Sequence, residues 1–335
     1  MWEKIIRVLK IVLLIIILLI LYSCEGEIYS PWEIIKSPVD NALYTIYALD
    51  KNNIFATGYI ESFIRYNGNE WFKLEPPKLN YEYKGVVFQD MFFNNENDGW
   101  AVGSGILENT GVRGIIVHWN GDKWEDVTPE PYTDVYPLMC VFFPTPDEGW
   151  AGSEGGRIYH YINGEWSLQG EFPANLYSIW FNSPTDGWMG GDPECLLHWN
   201  GYFWQIYYYN PGATNCGYFD ICFPDSDYGW VLWFSYLQGY LISAIFHYTK
   251  DEGWKLDTPD FIVQGGFNAI SFSNYNDGWL VGGKWSYHWD GNTWTEVPVP
   301  TLYDKAGLND VFAISPDDVW AVGDWGTILH FTGFK

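Results

Sequence analysis

The chain has 335 residues, 20 % of them aromatic, and its 42 acids against 17 Lys and Arg give a formal net charge of −25. Such an excess of acid excludes a nucleic-acid partner, because phosphates would be repelled. Short apolar runs punctuated by Gly, Asn, Asp and Pro, with no long amphipathic helix among them, exclude a helical protein and favour an all-β one.

At the start, Lys4, Arg7 and Lys10 precede an uncharged run from Ile11 to Cys24. This is the pattern of a secretory signal over residues 1–23, and the run is short for a membrane-spanning helix, which needs about 20 apolar residues. Leu21-Tyr22-Ser23-Cys24 resembles the bacterial lipobox, although Tyr22 stands where a smaller residue is usual. The resemblance implies cleavage before Cys24, its acylation, and a membrane partner through an N-terminal lipid anchor. An uncleaved anchor and an ordinary secreted protein are the alternatives, and all three place the domain outside the cytoplasm. Residues 24–31 are then a tether. Removing residues 1–23, with one acid and three bases, leaves −27.

Beyond the tether one pattern recurs seven times. Its marker is an aromatic, mostly the Trp of Asp/Glu-Gly-Trp, at Phe55, Trp100, Trp150, Trp188, Trp230, Trp279 and Trp320, spaced 38 to 50 residues apart. That period fits four-stranded propeller blades, and a repeat filling nearly all of the chain argues for one closed array. In the last blade Asn309 to Ser315, Val319 to Gly323 and Thr327 to Phe331 form three strands, and no fourth follows. Trp32 to Pro38 has the form of the outer strands that begin at Trp71, Trp124 and Trp294. The predicted fold is therefore an all-β, seven-bladed β-propeller of four-stranded antiparallel blades over residues 32–335. Its ring is closed by an N-terminal strand at about residues 32–37 pairing with the C-terminal blade, which removes open sheet edges. Asn67-Gly68, Asn120-Gly121, Asn163-Gly164, Asn200-Gly201 and Asp290-Gly291 mark the tight turns between third and fourth strands. Lys250-Asp251-Glu252-Gly253 predicts an irregular turn in blade five.

Repeat accounting removes most candidate chemistry. Of the 21 Trp, sixteen occupy repeating strand positions and read as packing between blades. His118, His160, His198, His247, His288 and His330 share one equivalent place, taken by Arg65 in the first blade. Residues spread symmetrically round a ring do not converge on a metal, and none is left over as the base of a hydrolytic triad. No metal and no cofactor are expected.

Asp318-Val-Trp-Ala-Val-Gly-Asp-Trp-Gly-Thr-Ile-Leu-His-Phe-Thr-Gly333, Asp98-Gly-Trp-Ala-Val-Gly103 and Asp277-Gly-Trp-Leu-Val-Gly282 resemble the repeats of propellers related to the photosystem II assembly and stability factors, and those of many bacterial secreted proteins and lipoproteins. The resemblance covers about residues 32–335 and implies a non-enzymatic scaffold holding a protein client or ligand on one face. The arginine-rich client face of the photosynthetic members is missing, since Arg65, Arg113 and Arg157 are the only arginines after the signal. The repeats also resemble the Asp-box (BNR-like) pattern of sialidase-type propellers, but the segment from His288 to Trp294 is one residue short and lacks the Ser.

The expected working face carries the loops between second and third strands and those joining blades. Trp233, Trp285 and Trp325, in three consecutive blades, are expected there with Tyr236, Tyr303 and Asp324. They either form an exposed patch suited to a protein client or glycan, or fold back and plug the channel. A carbohydrate-active hydrolase or lyase is the alternative function, with Asp192, Glu194, Asp220 and Asp324 as possible paired carboxylates. Cys195 and Cys216 should reach the same face and form a disulfide, whereas Cys140 and Cys222 read as buried thiols. A monomer is expected.

Overall fold

The structure, a computed structural model, describes residues 30–108, 111–131, 134–237, 240–256, 263–264, 266–302 and 307–334. Seven antiparallel sheets follow one another along the chain. Blade 1 runs from Leu43–Asp50 to Trp71–Lys73, blade 2 from Tyr83–Asn95 to Trp124–Asp126, and blade 3 from Leu138–Thr145 to Glu165–Glu171. Blade 4 runs from Asn175–Ser183 to Trp204–Tyr209, blade 5 from Cys216–Asp225 to Gly253–Leu256, and blade 6 from Ala269–Asn274 to Trp294–Glu296. Blade 5 also gains a short fifth strand, Val263–Gln264, paired with Tyr240–Thr249. Its outer turn differs from the others, as expected, but is not longer: three residues separate the paired Thr249 and Gly253, against four in blades 1, 2, 4 and 6, and Gly253 stands at φ +69°.

Blade 7 is assembled from both ends of the ring. Leu308–Ser315, Asp318–Gly323 and Ile328–Phe331 are its first three strands, and Trp32–Ile35 is its fourth. The register is antiparallel, with Trp32 opposite Phe331 and Ile35 opposite Ile328. Trp32 is only 3 % exposed, donates Nε1–H to Ser286 Oγ at 3.1 Å and lies 5.0 Å from the Trp279 ring. The closing strand thus fills an aromatic socket on blade 6 as well as an edge on blade 7.

The repeated tryptophans face the next blade. Trp100 stacks on Phe143 at 4.7 Å, Trp230 on Phe272 at 4.1 Å, and Trp320 meets Trp71 at 5.6 Å. The Gly before each Trp has a steric cause, because a Cβ at Gly99, Gly149 or Gly278 would sit 2.3–2.4 Å from the ring of Phe93, Phe143 or Phe272. In blade 7 the exchange runs the other way: Ala313 faces Val319. Small opposite large is conserved as a volume, not as a residue.

A polar device accompanies each Trp. His118, His160, His198, His288 and His330 bond to Asp98, Glu148, Asp186, Asp277 and Asp318 at 2.7–3.1 Å. Each ring also lies against its blade's Trp, as His330 does on Trp320 at 3.8 Å. In blade 5, His247 stacks on Trp230 at 4.5 Å. In blade 1, Arg65 donates Nε–H to Asn53 Oδ1 at 3.0 Å and sits 5.0 Å from the Phe55 ring centre. Burial alone would raise Asp98 and Asp186, yet hydrogen bonds from His118 and Asn94, and from His198 and Asn182, hold both carboxyls below their ordinary value.

Candidate functional site

The seven inner strands enclose a central channel of about 690 Å³. Toward the face of second-to-third-strand loops it is lined by Tyr44, Gln89, Met139, Tyr177, Phe219 and Asn309. Deeper lie Asp90, Asp220 and Asp310, each stapling two blades: their Oδ2 atoms accept the backbone N–H of Val141, Ile270 and Ile46 at 2.8 Å. Their Oδ1 atoms accept from Met91, Ile221 and Val311. Desolvation pushes Asp90 and Asp220 up to about 7 and Asp310 well above the ordinary carboxyl range, against the pull of those N–H groups. At the opposite end an aromatic arc crosses five blades, Phe312, Tyr47, Phe92, Phe142 and Trp180, with neighbouring ring centres 4.6–5.5 Å apart.

The loop face is uneven. In blades 2 and 5 the second and third strands run nine or ten residues, Asp98–Leu107 with Gly111–Trp119 and Tyr228–Leu237 with Tyr240–Thr249. These are the longest hairpins on the loop face among the described residues. In blade 7 the corresponding connection is the three-residue turn Asp324–Gly326, where Trp325 stands at φ 56°, ψ 35°. Left-handed backbone suits Gly, as at Gly155 (φ 72°) in the equivalent turn of blade 3, and is costly for a bulky side chain. Trp325 nevertheless keeps its indole 64 % exposed. Asp324 holds the turn beneath it, with Oδ2 accepting Gly307 N–H at 3.0 Å and Oδ1 accepting Asn309 Nδ2–H at 3.3 Å. Beside it Tyr44, whose ring lies 6.0 Å from Tyr59, is pushed up to about 12 by burial, its hydrogen bond with Tyr59 and the nearby Asp324 charge.

The structure does not gather the expected aromatic patch. Trp233 belongs to the long second strand of blade 5, not to a loop, and donates Nε1–H to Glu194 Oε1 at 3.0 Å toward blade 4. Trp285 opens the third strand of blade 6, packs into the seam with blade 5, and receives Lys284 at 5.1 Å from its ring centre. Trp325 and Tyr236, the latter 54 % exposed, are the open members. None of these Trp lines the channel either; Trp180 does. Tyr303 and Cys24 lie outside the described residues. Sequence reasoning missed Tyr44, Tyr177 and Phe219 at the channel mouth, where Phe219 stacks on Phe234 at 4.0 Å. The signal was available: each directly follows a buried residue at or near the start of its inner strand, Leu43, Leu176 or Tyr218.

The disulfide is a correction. Cys195 and Cys216 are both free thiols. They are neighbours in the chain path, with Glu194 N–H donating to the Cys216 carbonyl at 3.1 Å, but their side chains diverge. Cys195 points into the core between blades 3 and 4, whereas Cys216 faces the Glu194 carboxylate. Burial pushes the Cys195 thiol up to about 12 and, with the Glu194 charge, raises Cys216 also, so neither is a ready thiolate.

The carboxylates singled out for acid–base work are held by structural bonds. Asp192 accepts Asn175 Nδ2–H at 2.8 Å, and Glu194 accepts Trp233 Nε1–H and Asn210 Nδ2–H at 3.0 and 2.9 Å. Arg113 and Arg157 both line a groove of about 530 Å³ on the loop face between blades 2 and 3. Arg157 is committed there, lying 3.9 Å over the Tyr136 ring and donating to the Asp134 carbonyl and the Glu171 carboxylate.

No protein-family model and no curated relative matches the sequence. Among solved structures, the chain is similar to YCF48 bound to D1 peptide, with a TM-score of 0.64 and 17 % identity over 92 % of this chain and 96 % of that one. It is similar to YCF48 from Cyanidioschyzon merolae, with a TM-score of 0.62 and 15 % identity over 90 % and 99 %. It also overlays on the GH74 xyloglucanase from Xanthomonas campestris, with a TM-score of 0.67 and 10 % identity, over 91 % of this chain but 54 % of that one. At such identities the likeness is one of fold: this chain is a seven-bladed β-propeller, as its repeats, its closing strand and its structural neighbours agree.

Proposed function

We propose that the chain is a non-enzymatic, extracytoplasmic propeller, lipid-anchored through Cys24, that holds a protein client on its loop face with Trp325 as the anchoring side chain. The observation that carries this reading is an indole left open to solvent on a left-handed turn, a conformation that Gly would adopt at lower cost. An aromatic anchor beside a carboxylate and two tyrosines, on the face where the channel opens, suits a peptide or loop. A propeller of similar fold with a bound peptide supports the same reading. Substituting Trp325→Gly gives the test, because the turn already accepts Gly in blade 3. Affinity capture from native envelope extracts followed by mass spectrometry should yield a client with the parent chain and lose it with the variant; equal capture by both would remove Trp325 from the function. Intact mass of the membrane-extracted protein, beginning at an acylated Cys24, tests the anchor.

A glycan-active enzyme is the second reading, favoured by the raised carboxyls of Asp90 and Asp220 on the channel and by the GH74 neighbours. Against it, both oxygens of each carboxyl already accept backbone N–H groups, Oδ1 from its own strand and Oδ2 from the neighbouring blade. Release of reducing ends from xyloglucan by the parent chain, abolished by Asp220→Asn, would favour the enzyme.

A further inference from the structure

Blade 4 departs from the other blades at its outer hairpin, and the repeat supplies its own control. In blades 1 and 2 the turn between third and fourth strands places Asn69 and Glu70, or Asp122 and Lys123, after Asn-Gly, with both backbone N–H groups bonded to the Asn Oδ1. Blade 4 makes the same turn with the same bonds, from Tyr202 and Phe203 to Asn200 Oδ1 at 3.1 Å. The turn therefore does not require aromatics. Yet Tyr202 is 88 % and Phe203 58 % exposed. The outer strand that follows, Trp204–Tyr209, carries no charge and leaves Ile206, Tyr207 and Tyr208 exposed, whereas the outer strands of the other six blades each include a Lys, Asp or Glu. Cys195 to Phe219 is the longest stretch of the chain without Asp, Glu, Lys or Arg.

We propose that two copies of the chain associate about a two-fold axis through this hairpin, Tyr202 and Phe203 of its turn, with Ile206 and Tyr208 flanking the strand edge on its two opposite faces, covering those of the other copy. Charge selects the occupant. A chain of net charge −25 repels its own copies, and the uncharged outer strand of blade 4 is where two copies approach with the least of that cost. A two-fold contact must also be self-complementary, and a neutral surface of tyrosine, phenylalanine and isoleucine is complementary to itself. Aromatic side chains bury roughly 150 to 250 Å² each, so these partly exposed residues offer on the order of 500 Å² per copy and about 1,000 Å² for the pair, at the lower limit of a stable interface. The strand is bulged at Tyr207, between the Leu196–Tyr208 and Leu197–Ile206 pairs. A bulge breaks a continuous ladder, so the contact is made by side chains and not by an extended sheet. This dimer departs from the monomer expected from the sequence and does not depend on the client reading.

Sedimentation equilibrium tests it, on the full chain in a neutral detergent and on residues 31–335, within which all seven blades including the closing strand are complete. The expected result is a reversible dimer with a micromolar dissociation constant that tightens several-fold as salt is raised, because salt screens the repulsion and leaves the apolar contact intact. Substituting Tyr202→Asp with Phe203→Lys copies the blade 2 turn and should give a monomer with an unchanged thermal midpoint. A parent chain that stays monomeric at high micromolar concentration and at every salt overturns the proposal, as does a dimer that survives the double substitution. A monomeric parent chain that instead floats with neutral phosphatidylcholine vesicles, and loses that binding on substitution, also overturns it by putting a bilayer in place of the second copy.

Discussion

Between blades 6 and 7, Trp279 meets Trp32 and Phe331; between blades 2 and 3, Trp100 meets Phe143 and Trp166. The pairing recurs because every seam must bury the same aromatic volume. On the loop face the connections vary from blade to blade: a three-residue turn, Glu154–Gly156 in blade 3 and Asp324–Gly326 in blade 7, and a long hairpin in blades 2 and 5. The seams show what a ring needs in order to close, and the loops show where this ring differs from others built the same way. Substitutions in the seams should therefore cost stability, and substitutions on the loop face should cost binding.

The largest effect is expected at the closing seam. Trp32→Ala empties the socket formed by Trp279, Phe331 and Ser286 and should cost about 3 to 5 kcal/mol, read as a lowered midpoint in denaturant unfolding. Next comes Gly278→Ala, whose new Cβ meets the Phe272 ring; overpacking should cost about 1 to 3 kcal/mol. Combining Phe272→Ala with Gly278→Val copies the Ala313–Val319 exchange of blade 7, and the pair should lose less than the sum of its single substitutions. An additive cycle would show that the volume exchange is not what joins these positions.

The channel carboxylates give a pH effect of smaller size. Folding raises Asp90 and Asp220 from the ordinary 3.8 to about 7, so between those values the folded chain binds more protons than the unfolded one. Their contribution is fully present below 3.8 and is lost as pH rises through about 7. The thermal midpoint should fall from pH 5 to pH 8, and Asp90→Asn should flatten the profile. Asp98 and Asp186 act oppositely, since their lowered carboxyls add stability that is lost only on acidification below the ordinary range. The smallest shift belongs to Trp325→Gly, which relieves left-handed strain and should leave stability unchanged or raise it by up to about 1 kcal/mol while client capture disappears. Loss of stability there would make Trp325 part of the seam system.

Blade positions, the closing strand and the histidine roles were legible in the sequence because they repeat, and repetition converts one local rule into seven observations. Of the residues expected on the loop face, Trp325 and Tyr236 are exposed and Asp324 braces the turn beneath Trp325. Trp233 and Trp285 were misjudged because a long hairpin and a loop look alike when both are apolar, and strand length in blade 5 decided that Trp233 lies against Glu194. Cys195 and Cys216 were expected as a disulfide and are free thiols, because which way each Cβ points depends on its place in the pleat.

By itself, then, the sequence determined the number of blades, the aromatic seams, the Gly opposite each Phe and the identity of the strand that closes the ring, because these follow from spacing and volume along the chain. Only the tertiary structure decided that Trp325 stays open while Trp285 is tucked into a seam, that three aspartates staple blades across the channel, and that the blade 4 hairpin presents bare aromatics where its sister turns present charge. Exposure and side-chain direction are properties of neighbours distant in sequence, and no local pattern encodes them.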